Sequence, residues 1–302
     1  MQRNEDRWAG LLTEARNPRS ARLDTLSTAQ VVRLLLDEDR RAIAAALREA
    51  PSITRAAEEV ARALAAGGRV VFLGAGTSGR LGVLEAAECP PTFGSDPDEI
   101  QGVMAGGDSA VFRAVEGAED VANGGARAAA RLRARDLLVG ISASSVTPFV
   151  RGALEAARRR GARTALVTCA PQRGLGRLAD VVVAVRTGPE VLTGSTRLKA
   201  GSATKAVLNA MTTAAMVRLG KAYQNLMVDL RPNSAKLRER SRRIVSAAAG
   251  VDAERARELL AGANGEVKTA IVMGRLGLSA PAARRKLKAA QGHVRRALGK
   301  RG

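Results

Sequence analysis

Between Arg69 and Val185 the chain alternates short, mainly apolar runs with longer stretches of mixed character. The apolar runs are Val70–Leu73, Ile100–Met104, Leu137–Ile141, Thr164–Thr168 and Val181–Val185. Each lacks polar alternation, which predicts strands buried on both faces, as in a parallel sheet. The intervening stretches, such as Ala126–Ala134 and Pro148–Arg160, have the length of crossover helices. Five strands joined this way predict an α/β fold of three αβα layers around a five-stranded parallel sheet.

The flanks read as helices. Asn17-Pro18 predicts an extended arm, and Ser27-Thr28 can cap a helix from near Ala29 that meets the charged run Asp37–Arg41. A second helix, Ser52 to Ala66, lines up Ile53, Ala56, Val60 and Leu64 and ends at Gly67-Gly68. After the sheet come a long helix, Ala203–Leu219, and a tail of helices over Ser234–Ala249, Ala253–Ala261, Val267–Leu276 and Ala282–Leu298. Gly250, Gly262 and Gly277 punctuate the tail. The expected division is an N-terminal arm with helices (1–59), the sheet domain (60–223) and a small C-terminal helical subdomain (224–302).

Composition changes this picture little. Aromatic residues make up 2% of the chain against 46% hydrophobic, so Ala, Val and Leu must form the core with helices packed close. The net charge of +20 is spread through pairs such as Arg40-Arg41 and Arg242-Arg243, without interleaved aromatics to stack bases. We expect no specific nucleic-acid partner, but a field that attracts phosphorylated ligands. No run approaches the ~20 apolar residues of a membrane span, and Met1–Ser20 lacks an apolar signal core. Cys89 and Cys169 match neither a disulfide framework nor a metal spacing. These features suit a cytoplasmic protein with no metal.

The candidate chemistry sits where strands end. Gly74-Ala-Gly76-Thr77-Ser78-Gly79 is a glycine turn between a strand and a helix, where backbone N–H groups and the helix dipole favour an anion. It formally matches a dinucleotide fingerprint, but no acidic residue ends the second strand to hold a ribose, and no Gly-Lys-Ser/Thr follows. A second loop, Ser142-Ala-Ser144-Ser145-Val-Thr147, follows the third strand. Hydroxyls with backbone N–H groups suit a phosphate monoester, although the same residues also serve as helix caps. Arg197 and Lys199 precede the long helix and offer cations. Glu88 lies in the helix fed by the first loop, among Leu84, Ala86, Ala87 and Cys89 and just before the helix-stopping pair Pro90-Pro91. In such apolar surroundings a glutamate would be a proton donor near neutrality. Glu119, in Val115-Glu-Gly-Ala-Glu119-Asp120, is the second carboxylate of interest. By spacing alone both glutamates also read as surface residues. The lone His293 lies in the basic tail, so a Ser-His-Asp site lacks its base.

Leu73-Gly-Ala-Gly-Thr-Ser-Gly-Arg-Leu-Gly82 with Glu88-Cys-Pro-Pro-Thr-Phe-Gly94 resembles the signature of the N-acetylmuramic acid 6-phosphate etherases. The likeness extends to Ala105–Gly107, Ala114–Asp120, Thr193–Gly201 and Asn225–Asp229, and upstream to Thr13-Glu14, Asn17, Leu26–Thr28 and Asp37–Asp39. The resemblance implies the sugar isomerase (SIS) fold and a cytoplasmic homodimer with active sites near the subunit interface. It implies a cofactor-free carbon–oxygen lyase of cell-wall sugar recycling, converting N-acetylmuramic acid 6-phosphate into N-acetylglucosamine 6-phosphate and D-lactate. By position, Glu88 matches the family's proton donor and Glu119 its second catalytic glutamate. Phosphate binding would fall to Gly76, Thr77, Ser78, Gly79, Ser142, Ser144, Ser145, Thr147, Arg197 and Lys199. Two places depart from the pattern. Ser145-Val146 stands where the family has Gly-Arg, which removes backbone freedom and a cation, and Pro232-Asn233-Ser234 replaces a usual Pro-Thr-Asn. A phosphosugar isomerase and a non-catalytic sugar-phosphate sensor on the same fold are the alternatives.

Overall fold

The computed structural model describes residues 10–230 and 234–299; Pro232 and Asn233, from the second departure above, lie outside them. Two compact units form: residues up to Ala87 together with Asp98–Thr212, and Glu88–Pro97 together with the residues from Thr213 on.

In the first unit the Asn17 side chain caps a short 3-10 turn, Pro18–Ser20. Helix α1 (Thr28–Arg48) follows, opened by a reciprocal capping box in which Ser27 and Gln30 each bond the other's backbone N–H. Next come α2 (Ala50–Ala65), β1 (Val70–Gly74), α3 (Gly76–Phe93) and β2 (Ile100–Met104). A single turn α4 (Ser109–Phe112), helix α5 (Ala122–Ala128) and strand β3 (Leu137–Ile141) lead to α6 (Pro148–Arg159). The chain continues with β4 (Arg163–Thr168), α7 (Arg173–Gly176), β5 (Val181–Ala184) and α8 (Lys199–Arg218), the ends of α3 after Ala87 and of α8 after Thr212 being counted with the second unit.

The five strands are parallel in the order β2-β1-β3-β4-β5. Strands β1 and β3 are buried along their whole length, as their unbroken apolar sequences predict. Val71, Leu73, Leu138 and Leu166 face a cluster with Phe149, Val150 and Leu154 of α6. On the opposite face α3 approaches closely, since a Cβ on Gly82 would lie 3.0 Å from Phe72 Cβ and 3.2 Å from Ile141 Cδ1. Helices therefore cover both faces. Asp136 ties the strand starts together, accepting from Arg69 N at 2.8 Å, Arg133 N at 2.9 Å and the Arg69 guanidinium at 2.8 Å.

Three local expectations change. Pro90 and Pro91 do not stop α3, which runs on to Phe93. They lack the N–H donors that would reach Ala86 O and Ala87 O, but the helix ends two residues after Pro91, so the loss is confined to its final turn. Helix α5 begins at Ala122 rather than Ala126 and stops at Ala128. It includes Gly125, where a Cβ would sit 1.8 Å from Phe149 O, so glycine permits the close crossing with α6. The tail helix expected over Ala282–Leu298 is broken, because Gln291 and Gly292 adopt φ of 54° and 78°.

The second unit has its own apolar core, including Tyr223, Ile244, Val245, Leu259, Ile271 and Val294. A short hairpin, β6 (Ala222–Tyr223) with β7 (Leu226–Met227), precedes α9 (Ala235–Ala249), α10 (Ala253–Gly262), α11 (Val267–Leu276), α12 (Ala280–Ala289) and α13 (Val294–Ala297). Gly250 and Gly277 end α9 and α11 in the left-handed conformation glycine favours.

Candidate active site

The chain leaves β1 for β2 on one side and reaches β3 on the other, so the sheet's switch point lies between β1 and β3. Gly74 and Ile141 are register partners, which puts the two hydroxyl-rich loops side by side at the carboxyl ends of these strands. That is the place where open α/β sheets bind ligands.

In the first loop a Cβ on Gly79 would fall 2.7 Å from Gly74 O, and one on Gly74 would fall 2.8 Å from Gly79 N. The turn closes on itself only with glycine at both positions. Gly76 takes φ +53° and leads into α3. Gly76, Thr77 and Ser78 lie in the first turn of this 18-residue helix, whose leading N–H groups have no intrahelical acceptor.

The second loop is braced by its own side chains. Ser142 Oγ and Thr147 Oγ1 are 2.8 Å apart, and Ser145 N donates to Ser142 O at 3.3 Å. Pro148 opens α6 at a position where a missing N–H costs nothing. Among the described residues, the N–H groups of Ser144, Val146 and Thr147 meet no protein acceptor. The structure thus brings Gly76, Thr77, Ser78, Gly79, Ser142, Ser144 and Thr147 to one end of two neighbouring strands, with N–H and hydroxyl donors able to surround an anion. A Cβ on Gly201, in the first turn of α8, would lie 3.6 Å from Thr77 Cγ2, so α8 borders the first loop.

Two expected ligands are placed otherwise. Ser145 turns its hydroxyl inward, 2.6 Å from Thr168 Oγ1 and buried, so it offers the loop its backbone and not its side chain. Lys199 is also buried, and its ammonium pairs with the buried Glu38 carboxylate. An anion does sit at the start of α8, as that stretch suggests, but it is the chain's own: Glu190 accepts from Lys199 N at 3.2 Å and Ala200 N at 2.9 Å. Burial pushes the Glu190 carboxyl up, against the pull of these two N–H groups. Arg197 is exposed, with no hydrogen-bond or ion-pair partner among the described residues.

Glu38 is the centre of a larger network. Asn17 Nδ2 donates to it at 3.0 Å and to Pro189 O at 3.0 Å, and Arg19 pairs with both Glu38 and Asp37. Burial alone would raise the Glu38 carboxyl, but Lys199 and Arg19 outweigh it and hold it below the ordinary range. The arm at residues 13–20 is thereby fastened to the segment leading into α8, helped by Gly194 N donating to Thr13 O at 3.1 Å. These are interactions that sequence spacing could not reveal.

Both glutamates singled out for proton transfer are exposed in the single chain. Glu88 lies on α3 within the second unit's Glu88–Pro97 segment, and Glu119 in a 3-10 turn, Ala118–Asp120, of the first. The desolvated acid of α3 is instead Glu85, which is 7% exposed. It accepts from Asn209 Nδ2 at 2.6 Å and from the Thr212 hydroxyl, pinning α3 to α8. Arg80, part of the Leu73–Gly82 signature, has a role that its place in the motif does not announce. Its Nε donates to Val111 O and its Nη2 to Ala110 O, both at 2.8 Å, and this fork anchors the segment leading to Glu119. Among the described residues no three His, Cys, Asp or Glu side chains stand together as a metal site.

Comparison with known proteins gives the family. The chain matches the glucokinase regulatory protein N-terminal SIS domain over residues 52–158 and the SIS domain over residues 115–214. It is 46% identical to a protein of Photorhabdus laumondii named N-acetylmuramic acid 6-phosphate etherase, over 87% of this chain and 88% of that one. A protein of the same name from Symbiobacterium thermophilum is 51% identical, again over 87% and 88%. A third, from Salinibacter ruber, is 50% identical over 89% of this chain and 87% of its own length. With matches of this identity over nearly its whole length, the chain belongs to the N-acetylmuramic acid 6-phosphate etherase family.

Proposed function

We propose that this chain is a phosphosugar lyase that cleaves the lactyl ether of N-acetylmuramic acid 6-phosphate, releasing D-lactate and N-acetylglucosamine 6-phosphate in cell-wall sugar recycling. The observation that carries the reading is the pair of donor-rich loops at the β1–β3 switch point, in a chain about half identical to named etherases. Unpartnered N–H groups with Thr77, Ser78, Ser142, Ser144 and Thr147 hydroxyls match a phosphate monoester, and exposed Arg197 adds a cation nearby in sequence to α8.

In the open-chain sugar the aldehyde acidifies the proton on carbon 2. A base takes that proton, the carbon 3–oxygen bond breaks, and an acid delivers a proton to the departing lactate oxygen. Water then adds to carbon 3 of the unsaturated aldehyde, so lactate leaves with the ether oxygen and the sugar gains the oxygen of water. Two carboxylates with opposite protonation states serve these steps. We assign Glu88 as proton donor and Glu119 as its partner, on their match to the family motif. Both are open to solvent in the single chain, so the dry surroundings such acids need would come from bound substrate and a second subunit. A homodimer would give exposed apolar residues such as Phe112, 88% exposed in the single chain, a surface to pack against. We place the enzyme in the cytoplasm, where its phosphorylated substrate would be retained.

The test is a D-lactate assay on the purified chain with N-acetylmuramic acid 6-phosphate, alongside Glu88→Gln and Glu119→Gln. Lactate release by the wild type, lost in both variants while sugar-phosphate binding persists, supports the reading. Turnover without lactate would make the chain an isomerase.

A further inference from the structure

Ser145 combines a left-handed backbone, with φ 60°, and near-complete burial at 1% exposure. Its hydroxyl lies 2.6 Å from that of Thr168, the last residue of β4, also 1% exposed. The left-handed region is unfavourable for a side chain with a Cβ, so something must hold Ser145 there.

The proton positions follow from the partners. Thr168 Oγ1 lies 3.2 Å from Ala143 O, which also accepts from Cys169 N at 3.1 Å and Ala170 N at 2.8 Å, and it takes a longer share of the Ala170 N–H at 3.3 Å. If Thr168 donates to Ala143 O, the Ser145 proton goes to Thr168, and every hydroxyl proton has an acceptor. Reversing the Ser145–Thr168 bond leaves the Ser145 proton without a partner among the described residues. The backbone bonds to Ala143 O already join this loop to the residues after β4, and the hydroxyl pair extends the link to Ser145 itself, with both groups out of water, where such a bond is strongest.

The left-handed residue sits among the loop's unpartnered donors. The N–H groups of Ser144, Val146 and Thr147 flank it, and a turn that changes hand is what makes successive N–H groups converge on an anion. A relaxed Ser145 would turn some of them away.

We infer that Ser145 and Thr168 are positioning residues for phosphate: their buried hydroxyl pair holds Ser145 left-handed and thereby keeps the loop's N–H groups aimed at the bound phosphate. The inference rests on the sugar-phosphate reading of this site and adds how a loop with serine at the turning position keeps its shape. It differs from direct recognition, because the Ser145 hydroxyl points away from the ligand.

The test measures the dissociation constant of N-acetylglucosamine 6-phosphate by calorimetry, with KM and kcat for lactate release. Ser145→Ala keeps the Cβ strain and loses the hydroxyl, and is expected to weaken binding about tenfold, or about 1.4 kcal/mol, with kcat within about twofold. Ser145→Gly removes both strain and clamp and should bind within about twofold of wild type. Thr168→Val should behave like Ser145→Ala, with Thr168→Ser restoring affinity, and this pair decides the matter should Ser145→Ala not fold. Unchanged affinity in Ser145→Ala overturns the inference. So does equal weakening in Ser145→Gly, which would make the hydroxyl itself a ligand. Should wild type bind the sugar phosphate without releasing lactate, the etherase reading fails while the binding series still judges the clamp. A wild type that binds no sugar phosphate overturns both.

Discussion

Lys199 and Glu38, 161 positions apart in the chain, form an ion pair whose side chains are each only 4% exposed. Lys199 is thus a fastener between α1 and α8. Removing one member of a buried pair strands the other charge, at a cost of about 3–5 kcal/mol. Because Arg19 and Asn17 still reach Glu38, Lys199→Met should fall near the lower end of that range, read as a drop in chemical-denaturation stability. Full stability with weakened sugar-phosphate binding would return Lys199 to the phosphate site.

Asp136 supplies a pH prediction. Burial opposes its charge, but the Arg69 N–H and guanidinium and the Arg133 N–H outweigh that and hold its carboxyl below its usual value of 3.8. A folded value below the unfolded one adds stability that is complete above about pH 4 and lost as pH falls through the folded value. Asp136→Asn should be less stable than wild type at pH 7, with the gap narrowing on acidification below pH 4. A pH-independent gap between the two denaturation profiles would contradict this.

The Arg80 fork holds two carbonyls of the short α4 turn upstream of Glu119. Lysine cannot reproduce two parallel donors. Arg80→Lys should therefore lower kcat for lactate release by about tenfold, with stability changed by less than about 1 kcal/mol. Unaltered kcat would remove Arg80 from any part in placing Glu119.

Cys89 and Cys169 are both buried, and burial pushes the Cys169 thiol up to about 11. Neither should react with a disulfide reagent in the native protein at pH 8, and both should react in denaturant. Fast labelling of Cys169 in the folded chain would contradict its packing against Ala200 and Thr204 of α8.

The strands were legible because each is a mainly apolar run without strict polar alternation, and Ile100–Met104 and Leu137–Ile141 match residue for residue, although Gln101, Gly102 and Val103 of the edge strand β2 are only partly buried. The two phosphate loops were legible because glycine and hydroxyl residues follow two of these strands directly. What escaped detection depends on partners distant in sequence. Nothing near Lys199 announces Glu38, and nothing near Glu190 announces that its carboxylate will cap α8. The apolar context of α3 pointed to a buried acid, but helix phase put Glu85 inside and Glu88 outside. Gly124-Gly125 masked the start of α5, because glycine at a helix crossing and glycine at a helix end look alike in sequence.

The central claim is that this chain breaks the carbon 3–oxygen bond of N-acetylmuramic acid 6-phosphate, and one measurement addresses it most directly. Purified protein is incubated with that substrate in water enriched in oxygen-18, and both products are analysed by mass spectrometry. The account predicts D-lactate without label and N-acetylglucosamine 6-phosphate labelled at carbon 3, read in a fragment that lacks the exchangeable carbon 1 oxygen. Labelled lactate, or no lactate at all, would contradict it.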